Sequence, residues 1–307
     1  MSNAPVFVRG NYSDFYGSGM LPVLEEIFRS ELELHPSRRE MLAQVKKTDR
    51  DIYQSTEIHD MPLFSQVSES EDYSYSRPKQ GADKTIIPVK YGLGFSISEE
   101  AIDDGKFDFV ADAVRKMAES ARESQEVAFM NLFNNGFSSE TTADGVALFS
   151  ASHTLPSGST LRNVITTAAD LSQTSLDEVI SDFETEFVGD SGIIRRMEPK
   201  ILLVHSDNKR YAKELVGSDL KPDSSDNNMN SLKDEGIIVV SSPHLSDRDA
   251  WFLLADKSKT GLRIISRKGI ETKSDSVFSN DSIRYKSRYR EKVAAISPWG
   301  VMGSAGA

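Results

Sequence analysis

Five histidines stand at His35, His59, His153, His205 and His244, and the chain has no cysteine. Without thiolates, a metal site would need histidine and carboxylate ligands at short, regular spacing. No His-x-x-x-His or His-Glu-x-x-His pattern occurs. His153, just after the apolar island Val146–Phe149, is the best single candidate, and it reads as a hydrogen-bonding loop histidine rather than a ligand. Asp223, Asp226, Asn227 and Asn228 offer oxygens to a cation, but the spacing and closing glutamate of a calcium loop are missing. Glu99, Glu100, Asp103 and Asp104 are paired acids of the kind general acid–base chemistry uses. They also precede a long helix, where carboxylates offset the helix dipole, and that is the reading taken. Gly92 and Gly94 lack the third glycine of a dinucleotide fingerprint; close backbone packing within a strand accounts for them. Asp247 and Asp249 shape a turn. No nucleophile elbow or phosphate loop occurs. The sequence therefore supports neither a catalytic site nor a metal or cofactor, and a two-domain hydrolase with dispersed carboxylates is the weakest of the readings considered.

The one ordered set of reactive groups is a row of cations. Arg284, Lys286, Arg288, Arg290 and Lys292 recur at period two between Ile283 and Ile296, with Tyr285, Ser287, Tyr289, Glu291 and Val293 between them. On a strand this makes one face cationic and the other partly buried. Such a face contacts DNA or an acidic neighbour, or is a solvated surface paired with the chain's own acids. The 47 acidic against 36 basic residues, a net charge of −11 over 307 residues, argue against a dedicated nucleic-acid binder.

The element that must position these groups is a long helix from about Phe107 to Asn134. Val110, Ala113, Val114, Met117, Ala121, Ala128 and Leu132 recur at helical spacing, with Arg115, Lys116, Glu119 and Glu123 opposite. Gly136 marks the stop, and no proline interrupts the run. The rod is roughly 40 Å long at 1.5 Å per residue. Before it, Asn11–Gly19 reads as irregular, a short helix begins at Pro22 and stops before Pro36, and Arg38–Ile52 is too charged to bury much alone. Residues 61–98 read as a long hairpin. Its arms are Pro62–Val67 and a second strand entered through Thr85–Tyr91, and its polar tip is Ser68–Asp83. Isolated ribbons are marginal in water, so a partner subunit is expected to support it. Beyond a Ser/Thr/Gly-rich stretch, Ser175 with Glu178 makes a capping box and Leu176, Val179, Ile180, Phe183 and Phe187 a helical stripe. Ile201–Val204, Ile237–Val240 and Trp251–Leu254 are short buried strands, Leu262–Ile265 is another candidate, and Asn208–Val216 is a helix. Gly217–Asn230 is a polar loop. This alternation is a mixed α/β unit, and the chain as a whole is α+β. A hydrophobic content of 38% permits a real core. No apolar run approaches membrane-spanning length and no signal-peptide core opens the chain, so the protein is expected in the cytosol where it is made.

The Gly92-Leu93-Gly94-Phe95 strand, the Ser98–Asp104 turn, the long helix and Asp144-Gly-Val-Ala-Leu-Phe-Ser-Ala-Ser-His153 resemble the major capsid protein of tailed bacteriophages. The match continues through Asp170–Leu176, Pro199–Val204, Ser241–Asp247, Ala250–Asp256 and Asp281–Arg290, covering most of the chain from residue 60 onward. The resemblance implies a capsid fold with an N-terminal arm (1–60), an extended loop hairpin (61–98) and a peripheral domain (99–168) around the spine helix 107–134. An axial domain (169–280) and a closing peripheral strand (281–307) complete it. It implies a structural protein, not an enzyme, that assembles as hexamers and pentamers into an icosahedral head enclosing double-stranded DNA without sequence-specific binding. It also implies a virion protein assembled in host cytoplasm, working with scaffold, portal and decoration proteins. A nanocompartment shell of the same fold is the alternative. The arm is too short for the long scaffold segment of some members. The expected contacts between copies are Arg77, Lys79 and Lys84 on the hairpin and Arg284, Lys286 and Arg288 on the closing strand. The loop lysine that some members cross-link would fall at Lys79, Lys84 or Lys90, but a solvated lysine is the reading taken for each.

Overall fold

A computed structural model of the chain describes residues 20–98, 100, 107–219, 229–277, 279 and 282–307. Three expectations fall on other residues: the irregular Asn11–Gly19, the acidic turn apart from Glu100, and the oxygen cluster Asp223–Asn228. The described residues begin with helix α1 (Met20–Leu34), the short α2 (Arg39–Leu42) and strands β1 (Gln44–Lys47), β2 (Tyr53–Ile58), β3 (Gln80–Ile86) and β4 (Val89–Ser98). Helix α3 (Phe107–Asn134) follows, with the residue range its periodicity predicts. Then come β5 (His153–Thr154), β6 (Thr160–Leu161), α4 (Gln173–Thr185), β7 (Pro199–His205), α5 (Lys209–Gly217) and β8 (Ile238–Ser242). The last strands are β9 (Trp251–Ala255), β10 (Leu262–Val277), β11 (Ser282–Ala295) and β12 (Val301–Ser304).

The apolar stripe of α3 decides its place. Val110, Val114, Met117 and Ala118 pack against Leu24, Ile27 and Phe28 of α1 and against Ile97, Ile283 and Tyr285 of the sheet below. Farther along, Phe129, Met130 and Phe133 enter a second core shared with Phe149, Phe252, Leu262 and Val293. Each such side chain stabilises the fold by about 1.5–3 kcal/mol through burial. Gly136 acts as a packing glycine: a Cβ there would stand 2.7 Å from the Phe149 ring, and its carbonyl accepts the Phe149 N–H at 2.9 Å.

Two four-stranded sheets carry the rest. The first runs β1-β10-β11-β4, the second β12-β9-β7-β8. Helices α4 and α5 cover the second through Leu176, Val179, Phe183, Ala212 and Leu215. The chain passes between the sheets after β9 and again after β11, and the two crossings are laced together. Gly261 N–H donates to the Trp299 carbonyl at 3.1 Å, Ile296 N–H to that of Gly261 at 2.9 Å, and Ala255 N–H to that of Gly300 at 2.9 Å. A side chain at Gly261 would collide with the Ser297 carbonyl.

Several expectations shift. The ribbon pairs β2 with β3, Tyr53 opposite Ile86 and Gln54 opposite Thr85. Its first arm is thus Tyr53–Ile58, and Pro62–Val67 is not a strand. The apolar Leu63 and Phe64 mimic a strand pattern but have nothing to pack on in their own subunit. Leu262–Ile265 is only the start of a 16-residue strand, which hydrogen-bonds with β11 in the first sheet rather than with the strands of the second. Conversely β12, assigned to the closing peripheral segment, pairs antiparallel with β9 in the second sheet. The N-cap of α4 is Ser172, which closes a capping box with Ser175; serine takes the place expected of a glutamate because its hydroxyl reaches the Ser172 N–H at 2.9 Å. The charged segment after Arg38 lies on its own subunit, with Leu42 and Ala43 in the second core and β1 parallel to β10. Among the described residues no helix is long and apolar enough to cross a membrane.

Candidate subunit interface

Strand β11 carries the cationic row as its period-two pattern predicts. Ile283, Tyr285, Ser287, Tyr289 and Glu291 are buried, while Arg284, Lys286 and Lys292 are exposed. Register with its neighbours fixes what shares the cationic face. Lys286 lies between Gly94 and Lys273, Arg288 between Gly92 and Glu271, and Arg284 between Ser96 and Asp275. The glycines are there because the backbones run close: a Cβ at Gly94 would stand 2.9 Å from the Tyr285 carbonyl, and one at Gly92 3.2 Å from that of Ser287. Their missing side chains leave a groove of about 740 Å³ floored by glycine and edged by Lys90, Arg284, Lys286 and Arg288, with one acid, Asp275, among its lining. Arg288 is bound to Glu271 at 2.7 Å, whereas the side chains of Arg284 and Lys286 form no ion pair among the described residues.

The second surface is the ribbon and the loop 59–79 that it carries. Lys79 donates to Asp190 at 2.8 Å, and Arg195 holds Asp60 through Nε at 2.9 and 3.0 Å. Beyond these tethers Leu63 and Phe64 are 78% and 104% exposed, and Tyr73 and Tyr75 are 72% and 95% exposed. Arg77 is exposed and forms no ion pair among the described residues. Lys84 points inward: its ammonium donates to the Thr141 carbonyl and, at 2.9 Å, to that of Ala295. Burial pulls its pKa down, and the neighbouring Glu140 only partly offsets this. Of the expected contact residues, Lys84 is therefore committed to its own subunit, Lys79 and Arg288 are partnered there, and Arg77, Arg284 and Lys286 are free to meet another copy.

The ribbon base sits on a polar cluster that sequence reading largely missed. Glu57 and His59 of the ribbon, Asp144 and His153 of the body, and Trp299 line a cavity of about 330 Å³. The Trp299 indole N–H donates to Glu57, and the Arg195 guanidinium lies 3.9 Å from the centre of the Trp299 ring, a cation–π contact. Burial pushes the Glu57 carboxyl above its ordinary value, against the opposing pull of Trp299, His59 and Arg195. Asp144 is the reverse case. Burial would raise it, but hydrogen bonds from His153, Thr142 and the Val146 N–H hold it below the usual aspartate value. His153 Nδ1 meets Asp144 at 2.7 Å and its Nε2 meets the Leu148 carbonyl at 3.3 Å, so it is hydrogen-bonded as expected, although it opens the short strand β5 rather than lying in a loop. Among the described residues no group of histidines and carboxylates is arranged to hold a metal.

A second polar knot ties arm, spine and sheet. Arg39 Nη1 meets Glu291 at 2.5 Å, and Gln125 donates to the other Glu291 oxygen at 3.1 Å; all three side chains are buried. The one available signal was an acid on the buried face of a strand, which demands a cation. Burial, and next the Glu291 carboxylate, push the nearby Tyr289 hydroxyl up to about 12.

The sequence model of the family described as phage capsid protein matches residues 82–302, from the ribbon's second strand to the last strand of the second sheet. The chain belongs to the phage capsid protein family. A comparison with curated protein sequences gives no match. The fold of this capsid protein is similar to that of the virus-like particle from Pyrococcus furiosus, with TM-score 0.57 and 12% identity over 92% of this chain and 98% of that one. It is also similar to the structure of Microbacterium phage Oxtober96, with TM-score 0.56 and 13% identity over 88% and 91% of the two chains. The capsid of Cyanophage P-SCSP1u gives TM-score 0.56 and 11% identity over 89% and 88%. The long helix and the two sheets are therefore the parts of a capsid protein.

Proposed function

We propose that this chain is the major subunit of a phage head. Copies assemble as hexamers and pentamers into an icosahedral shell that encloses double-stranded DNA. The observation that carries this reading is the ribbon: residues 59–79 leave their own subunit with large apolar side chains in water, although monomers rarely expose such patches without a use. A neighbouring copy supplies the missing cover. The subunit divides functionally into arm, extended loop, a peripheral unit around α3 and the first sheet, and an axial unit around the second. The acidic balance suits a wall that holds DNA without gripping it. Scaffold, portal and decoration proteins are the natural partners, the virion is the destination, and assembly takes place in host cytoplasm. The subunit performs no catalysis.

The similarity to the Pyrococcus furiosus virus-like particle favours one second reading, a compartment shell of the same fold. Negative-stain microscopy of the expressed chain tests both readings. Hollow shells, capsomers or polymers are expected, and a uniform monomer or dimer would overturn both. Particles recovered from the native source separate the two: nuclease-protected DNA fits the head, whereas a protein cargo without DNA fits the compartment.

A further inference from the structure

Helix α3 is seated on two separate cores, one at Val110–Ala118 and one at Phe129–Phe133. In the interval between them its contact with the first sheet is polar. There the β11 face turned to α3 carries Ser287, Tyr289 and Glu291, each only 3% exposed. Glu291 is satisfied by Arg39 and Gln125. Its two neighbours on that face are not: Ser287 Oγ and the Tyr289 hydroxyl are buried and have no hydrogen-bond partner among the described residues. Buried hydroxyls without partners are costly, and two in succession on one strand face call for a common cause. Tyr289 cannot swing away to find a partner, because its ring is stacked on that of Tyr91 with centroids 5.1 Å apart.

Both residues line a cavity of about 220 Å³ between α3 and the β4–β11 pair. The space is there because the helix offers only short side chains at this point, Ser120, Ala121 and Ser124. It far exceeds the roughly 30 Å³ that a water molecule takes up in the liquid. Apolar cavities of this kind stay dry, whereas a site with two to four polar partners holds water. Here four hydroxyl-bearing residues, Ser120, Ser124, Ser287 and Tyr289, line it, and no charged side chain does. The lining therefore suits a small neutral molecule that both gives and accepts hydrogen bonds, and not an ion. Ser120 and Ser124 are exposed, which gives solvent a way in. Ser124 Oγ already donates to the Ser120 carbonyl at 2.7 Å, so its oxygen is left to accept.

We propose that ordered water, bound jointly by Ser287 Oγ and the Tyr289 hydroxyl, completes the seat of α3 in this cavity. The Tyr289 hydroxyl, pushed up to about 12, keeps its proton and donates it to the water, which in turn donates to Ser124 Oγ. The long helix is then held by two dry contacts with a wet one between them. This is a property of the folded subunit and stands apart from the shell reading.

The test is the sign of a melting shift in the full chain. Ser287→Ala and Tyr289→Phe each remove one hydroxyl and leave the backbone or the ring in place. With water bound, each is expected to lower the melting temperature by about 2 °C or more. The double variant is expected to lose less than the sum, because hydroxyls that do not touch are coupled through the water they share. An empty cavity predicts the opposite sign, since each change then deletes an unpaired buried hydroxyl. A smaller drop, no change or a rise in either single variant overturns the proposal, as does an additive double variant. Should a variant fail to fold, a high-resolution density map of the unaltered chain decides. A water peak within hydrogen-bond distance of both oxygens supports the proposal; a bare cavity, or elongated density of an organic molecule, overturns it. Particle yield does not enter either measurement, so failure of the shell reading would leave the result unaffected.

Discussion

Arg39, Glu291 and Gln125 show what a single buried charge demands. Glu291 lies on the face of β11 that meets α3, where water cannot solvate it, and its two oxygens are satisfied by Arg39 and Gln125. Removing one partner strands the other. Glu291→Ala is expected to destabilise the subunit by about 3–5 kcal/mol in chemical denaturation, and Arg39→Ala similarly, whereas replacing both partners should cost less than the sum. The ribbon base yields a pH prediction with two signs. Asp144 has a depressed folded-state pKa, so its contribution is present above its ordinary value of 3.8 and lost as pH falls through the lower folded value. Glu57 has a raised one. Its contribution is present below 4.5 and lost as pH rises through the higher folded value. Glu57→Gln, which mimics the protonated form, should therefore raise the melting temperature at pH 7 and flatten its change between pH 7 and 4.5, while Asp144→Asn should lower it at pH 7. A pH 7 melt in which Glu57→Gln loses stability would contradict the first part.

At the level of elements, close backbone approach makes sharp predictions. Gly94→Val forces a branched side chain against the Tyr285 carbonyl, and Ala118→Leu drives extra methylenes between α3 and α1 where Ala118 is fully buried. Each should lower stability by about 1–3 kcal/mol in urea melts, with loss of the β4–β11 amide protection in the first case. The same elements explain which parts of the fold were legible. Helix α3 was readable because its apolar residues keep one helical repeat along the rod, although that stripe meets one core at Val110–Ala118 and a second at Phe129–Phe133. β11 was readable because the pleat alternates charge with burial. β10 was not, because its sequence Arg-Lys-Gly-Ile-Glu-Thr-Lys is polar and its pairing slips at Ser266–Lys268 and again at Lys268–Glu271, so no clean alternation survives. β2 was hidden for a related reason: a two-stranded ribbon buries little on either face. The cationic row of the interface was visible in one strand, but the glycine floor beside it depends on cross-strand register. The Glu57–His59–Asp144–His153 cluster unites positions almost a hundred residues apart, which spacing alone cannot bring together.

For the molecule as a whole, the exposed apolar residues of the loop matter more than its core. Leu63 and Phe64 contribute nothing to the stability of an isolated subunit, so Leu63→Ser with Phe64→Ser should leave its melting curve within about 0.5 kcal/mol of the unaltered protein. The same pair of changes should sharply reduce the yield of particles on a gradient; normal yield would show that the loop does not pack on a neighbour. The laced crossings at Gly261 and Trp299 have a further bearing on this subunit's mechanics. Two connections pass between the sheets side by side, bonded to each other, and the rings of Phe133, Phe149 and Phe252 pack together in the core that both sheets share. Such a joint resists bending as a double strut does. Curvature, in any closed surface built from these subunits, must then be taken up at their borders, with each plate tilting as a stiff piece.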